Sequence, residues 1–127
     1  MQAFDLVDTL VEINYSVRSK RQLIDNIRNA RVIYRPRGQF RIFTAQQDDS
    51  QIHAAISEMV SVNFPNCVRV HFVSGGESAV AEAKAKLVKQ YGITDFTDNN
   101  RAILSKMKEL LTNVQLWVMT QNGRKEY

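Results

Sequence analysis

Arg31-Val32-Ile33-Tyr34-Arg35-Pro36-Arg37-Gly38-Gln39-Phe40-Arg41-Ile42-Phe43-Thr44-Ala45 is the stretch on which the reading of the fold turns. Two β-type runs, Val32-Ile33-Tyr34 and Phe40-Arg41-Ile42-Phe43, flank a polar break. Pro36 presets the φ of a type I turn, and Gly38 suits the left-handed residue that follows. The stretch therefore predicts a short hairpin with a G1 bulge. With Val32 and Tyr34 on one face, Arg31, Ile33 and Arg35 lie on the other, and Arg35 and Arg37 stand at the tip.

Upstream, the apolar period is helical. Leu6, Leu10, Ile13 and Val17 recur at helix spacing, widened by Phe4, Val7 and Val11, and predict a first helix over 3–17. Asp5, Asp8 and Glu12 then line its outer side. Ser19 is a good N-cap for a second helix that buries Leu23, Ile24 and Ile27. Downstream, Asp49 or Ser50 caps a third helix with a buried stripe of Ile52, Ala55, Ile56 and Met59, ended by Asn63-Phe64-Pro65-Asn66. Val68, Val70 and Phe72 alternate with outward Arg69 and His71 in a half-buried strand. Ser74-Gly75-Gly76 leads into a fourth helix that closes at Gly92. A loop over 94–98 caps a fifth helix, which buries Ile103, Leu104, Met107, Leu110 and Leu111. A strand over 114–119 follows, then a polar, frayed tail over 122–127. The expected order is ααββαβααβ. No Pro-, Gly- or Ser-rich linker divides it, so one domain is expected over 1–127. The class expected is α+β, a mixed sheet of about four strands with helices packed on one face.

Charge is distributed unevenly along this frame. Arg18, Lys20, Arg21, Arg28, Arg31, Arg35, Arg37 and Arg41 face a single acid, Asp25, so residues 18–41 carry +7 of a chain whose net charge is +4. Arg presents a planar fork of donors suited to phosphate and to base edges. Interleaved with Tyr34, Phe40 and Phe43, the cluster points to nucleic-acid contact. Pairing with Asp5, Asp8 and Glu12 is the bland alternative, but three acids do not neutralise eight bases. The single cysteine, Cys67, excludes an internal disulfide, and with two histidines leaves too few ligands for a Cys/His zinc site. No run of about 18 apolar residues suggests a membrane span, and Asp5 and Asp8 interrupt any secretory signal. The expectation is a cytoplasmic protein without membrane contact.

No catalytic constellation emerges from spacing alone. Ser74-Gly75-Gly76-Glu77-Ser78 lies between a strand and a helix but lacks the P-loop and dinucleotide patterns. It reads as a tight turn. Cys67 and His71 on one strand are separated by roughly 13 Å of strand rise, too far for a nucleophile–base pair. His71 reads as a surface residue and Cys67 as structural. Asp48-Asp49, Asp95 and Asp98 read as helix caps, and Trp117 with Met119 as core or a partner surface. No catalytic residue, metal ligand or cofactor is expected.

Residues 5–74 form two helices, a hairpin, a helix and a strand running Val68-Arg69-Val70-His71-Phe72-Val73-Ser74-Gly75-Gly76. In that order they resemble the KH-like domains of bacterial replication proteins, such as those of the DnaA initiator and the clamp-loader gamma/tau subunits. The GxxG loop of nucleic-acid-binding KH domains is absent between the helices. The resemblance implies a replication setting and a partner that is nucleic acid or protein. The function expected is therefore DNA or RNA binding through the helix–hairpin segment 18–41. The residues are Arg18, Lys20, Arg21, Arg28, Arg31, Tyr34, Arg35, Arg37 and Arg41, and a phage, plasmid or bacterial DNA-processing setting fits. The competing expectation is a non-catalytic adaptor or assembly subunit that binds a protein partner or itself.

Overall fold

The computed structural model describes residues 1–127. In chain order the elements are β1 (Gln2–Phe4), β2 (Val11–Glu12), α1 (Lys20–Arg28), β3 (Arg31–Val32), β4 (Phe40–Ala45), α2 (Ser50–Asn63), β5 (Cys67–Val73), α3 (Glu77–Gln90), β6 (Asp95–Asp98), α4 (Arg101–Leu110), β7 (Gln115–Thr120) and β8 (Gly123–Glu126). Six strands form one sheet in the spatial order β5-β4-β1-β6-β7-β8, and β2 pairs with β3 in a separate two-stranded ribbon. All neighbours in the large sheet are parallel except β7 and β8, which are antiparallel. Parallel neighbours need a crossover; α1, α2 and α4 lie in those joining β1 to β4, β4 to β5 and β6 to β7, and α3 carries the chain from β5 across the sheet to β6.

Successive side chains of a strand point to opposite faces, and here both faces are covered. Phe4, Phe40 and Ile42 pack with Leu23 and Ile27 of α1 and with Ile52, Ile56 and Met59 of α2. Ala3, Phe43, Phe96 and Leu116 pack with Val80, Ala81 and Val88 of α3 and with Leu104 and Met107 of α4. The mixed class expected from sequence holds in the broad α+β sense. The sheet, however, has six strands and not four, and helices cover both of its faces.

The individual corrections share one cause: short buried strands carry little periodicity of their own. Residues 3–17 are not a helix. Ala3 and Phe4 are both fully buried, one in each core, as expected of a parallel strand covered on two sides. Asp8 then takes a left-handed φ of 61°, and the Leu6 carbonyl accepts from the N–H groups of Thr9, Leu10 and Val11, which folds the chain back. The hairpin over 31–45 does not form either. β3 pairs with β2, matching Val11 with Val32, while β4 inserts between β1 and β5. Gly38 does adopt a left-handed φ of +72°, so the local turn chemistry was legible although the strand partners were not. Two elements that carried the likeness to KH-like domains, the first helix and the hairpin, thus differ in the structure.

Residues 95–98, expected as a loop, are the inner strand β6, and the expected tail pairs with β7 as β8. Four helices replace the five expected. The remaining helices lie where the caps put them. Ser19 accepts from Gln22 N, Asp49 from Gln51 N and Ile52 N, and Asn100 from Ala102 N and Ile103 N. No helix is long and apolar enough to cross a membrane.

A candidate active site at the carboxyl ends of the central strands

The chain leaves β1 for β4 and β5 on one side, then returns to β6 and β7 on the other. In open α/β sheets such a reversal leaves a crevice at the carboxyl ends of the strands, where ligands bind. Asp5 follows β1 directly, Thr44 lies near the end of β4, and Thr97 and Asp98 end β6. Seven polar or charged residues are buried. Six of them, Asp5, Thr9, Thr44, Lys84, Thr97 and Asp98, belong to this region, and only His71 lies elsewhere.

Lys84 joins the strands to α3. It falls on the same helix stripe as Val80, Ala81 and Val88, so its side chain enters the protein, and it is 1% exposed. Its ammonium donates to Asp98 Oδ2 at 2.8 Å and to Asp5 Oδ1 at 3.1 Å. The Thr9 hydroxyl donates to Asp5 Oδ2 at 3.2 Å, and Asn100 N to Asp98 Oδ1 at 3.0 Å. With its side-chain nitrogen turned inward, Asn99 donates to Asp5 Oδ2 at 3.0 Å and to Asp98 Oδ1 at 3.2 Å. The two carboxylates and the ammonium are thus almost fully supplied with partners, which is the condition for tolerating buried charge.

Burial pushes the Asp5 carboxyl above its usual range, and the neighbouring Asp98 adds to the push, while Lys84 opposes it. Burial works to lower Lys84, but Asp5 and Asp98 outweigh it and hold the ammonium above its ordinary value. Two carboxylates against one ammonium leave a residual negative charge when all three are ionised. Only two acids converge, and no Cys, His or further acid joins them. The acids offer oxygen donors only, and Asp5, at 8% exposure, is the least buried of the three charged groups.

Two features border the cluster. Tyr15, in the loop between β2 and α1, donates to Gln46 Oε1 at 3.0 Å, and Gln46 Nε2 donates to Thr44 Oγ1 at 3.0 Å. Burial raises the Tyr15 pKa, against the Gln46 hydrogen bond, and the negative charges of Asp5 and Asp8 add to the rise. On another side a cavity of about 860 Å³ opens between the β2–β3 ribbon and the β7–β8 turn, with Asp8 and Asn99 in its wall.

The residues singled out for nucleic-acid contact are spread over α1 and its entry, the β2–β3 ribbon, the loop before β4, and β4 itself. Arg31 Nε donates to Glu12 Oε2 at 2.9 Å, and Lys20 pairs with Asp49 at 3.1 Å. Arg35 Nη1 donates to the Asn63 carbonyl at 2.6 Å and sits 5.8 Å over Phe64. Arg41 lies on the sheet face covered by α3, with its guanidinium near Tyr91 and His71. Arg18, Arg21, Arg28 and Arg37 are exposed and form no ion pair, while Tyr34 is half-buried against Phe4. His71, expected at the surface, is buried between Phe43 and Tyr91.

Sequence reasoning missed Asp5, Lys84, Asp98 and Asn99 because it placed the first on a helix and the third in a capping loop. Two signals were present. Ala3-Phe4 and Phe96-Thr97 are short apolar runs that each end on Asp, and Lys84 interrupts an otherwise apolar helix stripe. Comparison of the chain with protein-family models, curated proteins and solved structures gives no match.

Proposed function

We propose that the Asp5–Lys84–Asp98 cluster is the catalytic centre of a phosphoryl transfer from a small phosphate monoester, with Asp5 as nucleophile. The observation that carries this is the convergence of two buried carboxylates and a buried lysine at the sheet's topological switch point. Few structural roles require three charged side chains from three separate elements to be taken out of water. Their residual negative charge would repel a phosphate; Asp5 and Asp98 would hold a divalent cation that would supply the missing positive charge and favour the ionised form of Asp5.

In this reading Lys84 and the Thr44 hydroxyl bind phosphate oxygens, and Thr9 and Asn99 hold the Asp5 carboxylate in place. A carboxylate oxygen of Asp5 attacks phosphorus and forms an acyl phosphate. The bond from phosphorus to the ester oxygen breaks, its electron pair stays on that oxygen, and a water supplies the proton. A second water then attacks phosphorus, releasing inorganic phosphate and restoring the carboxylate. The test is phosphate release from simple monoesters, with and without Mg²⁺. Release should require the cation and fall by more than ~10³-fold in folded Asp5→Asn. Equal release by the variant, or none by the wild type, overturns the proposal.

A second reading, nucleic-acid contact, is favoured by four exposed arginines of the 18–41 segment whose side chains form no ion pair, Arg18, Arg21, Arg28 and Arg37. They stand on α1, at its entry and ahead of β4. Electrophoretic shift at low salt tests it. Affinity should fall by about 0.9 log units per log unit of salt for each phosphate neutralised, and replacing the four by Ala should abolish binding. A salt-independent shift, or an unchanged one in the quadruple variant, argues against this surface.

A further inference from the structure

The cavity beside the cluster is larger than a phosphate needs. At about 860 Å³ it falls within the ordinary range for sites that enclose a whole organic ligand. Its lining also has a definite chemistry. Tyr34 supplies an aromatic wall, Met119 an apolar one, and Asp8, Glu12, Arg31 and Asn99 the polar groups. The Tyr34 ring is braced by Phe4, whose ring centre lies 5.9 Å away, and Phe4 directly precedes Asp5. Asn99 faces both spaces, since it lines the cavity and also donates to Asp5. A ligand with its phosphate on the cluster would therefore have its remaining body against Tyr34.

Charge narrows the class. Arg31 and Glu12 neutralise each other through the 2.9 Å hydrogen bond from Nε. The lining then retains the Asp8 carboxylate, and the Arg124 guanidinium stands 5.9 Å over the Tyr34 ring. A run of further phosphates would meet a single cation there, Arg124, opposed by the Asp8 carboxylate, so a nucleic-acid strand is a poor occupant of this cavity. Sugar hydroxyls suit it, because carboxylates and amides accept and donate to them. A flat ring suits Tyr34, since stacking a nucleobase on an aromatic side chain contributes ~1–3 kcal/mol.

We infer that the cavity binds the nucleoside part of a nucleoside monophosphate, its ribose at Asp8 and Asn99 and its base on Tyr34. This rests on the proposed phosphoryl-transfer reading of the Asp5 cluster. It names the substrate class by size, charge and an aromatic wall together.

The test combines a nuclear magnetic resonance titration with kinetics, using adenosine monophosphate and glycerophosphate as probes, for the wild type, Tyr34→Ala and Tyr34→Leu. The leucine variant keeps apolar bulk against Phe4 and guards against misfolding, which a thermal melt monitors. Adenosine monophosphate should shift the Asn99 and Arg31 resonances. Both variants should bind it about tenfold more weakly, within the range for a lost stack, and lose kcat/KM for it about tenfold more than for glycerophosphate. Shifts at Asn99 and Arg31 that weaken in both variants, without phosphate release, would support the cavity and sink the reaction. Turnover of both esters alike, with Tyr34 substitutions affecting them equally, would sink the cavity and leave the reaction standing.

Discussion

The Arg41 guanidinium lies 3.9 Å above the centre of the Tyr91 ring. A residue of β4 is thereby held against the C-cap of α3, on the face of the sheet away from α1 and α2. Its Nη1 lies 3.1 Å from His71 Nε2, which must act as the acceptor because a guanidinium only donates. An arginine that reads in sequence as part of a basic surface is thus an interior brace. Its side chain is half-buried and committed to this contact.

His71 should stay neutral well into the acid range. Burial lowers its pKa to about 4, and the charges of Arg41 and Arg69 act in the same direction. Unfolding restores a pKa near 6.5, so the unfolded state binds more protons between pH 6.5 and 4. Stability attributable to this site is present above pH 6.5 and is lost as pH falls through that window. Following the His71 ring resonances with pH should show no protonation above about pH 5. A midpoint near 6.5 would contradict the buried geometry.

Replacing Lys84 with Met should destabilise the fold by about 3–5 kcal/mol at neutral pH, because two buried carboxylates then face each other without an ammonium. Urea titration measures the loss. It should shrink between pH 8 and pH 5, as one of the carboxyls takes up a proton. A loss independent of pH would mean that Lys84 acts by packing alone.

Asp5→Asn should gain stability in alkaline solution while losing activity. The folded-state pKa of Asp5 is raised by burial and by Asp98, so the folded state holds the proton longer than the unfolded state. The contribution of the protonated form is complete below the unfolded pKa and is lost as pH rises through the folded one. The variant keeps a neutral side chain throughout. Its Tm should exceed that of the wild type by a few degrees at pH 8, with the difference closing toward pH 4. A difference that widens on acidification would reverse the sign argued here.

Ile56 is fully buried, in the core between α2 and the sheet. Ile56→Ala should cost roughly 2–5 kcal/mol. A cost below about 1 kcal/mol by urea titration would mean that α2 does not anchor that core.

Cys67 should react slowly with alkylating agents at neutral pH. Burial raises its thiol pKa to about 11, against opposing hydrogen bonds and the Arg41 charge. The thiolate is the reactive form, so a rate matching that of a free cysteine would place the side chain outside its β5 environment.

What was legible in the sequence follows the range of the interactions concerned. The three side-chain caps, Ser19, Asp49 and Asn100, act within a turn; the first two mark helix starts directly, and the third lies two residues beyond the loop over 94–98 expected to cap the last helix. Gly38 shows its left-handed φ in the same local way. Strand partners are set by distant residues. Gln2 aligns with Phe40 on one side and Asp95 on the other, and no local pattern announces either match. The cluster was hidden for the same reason, because Asp5 and Lys84 stand 79 positions apart. Lys84 alone left a trace, as a charge on an apolar stripe.

The placement of β1 in the middle of the sheet also orders events during synthesis. Its Gln2–Phe4 segment emerges before either neighbour exists, and its second neighbour, β6, follows some ninety residues later. At a translation rate of about 5–20 residues per second the wait is several seconds. Phe4 and Leu6, fully enclosed at the end, are exposed to solvent and to chaperones meanwhile. The charged centre cannot close until α3 and β6 have been made, ahead of α4, β7 and β8. A nascent chain halted before Asp98 would therefore hold Asp5 and Lys84 without the second carboxylate of their cluster.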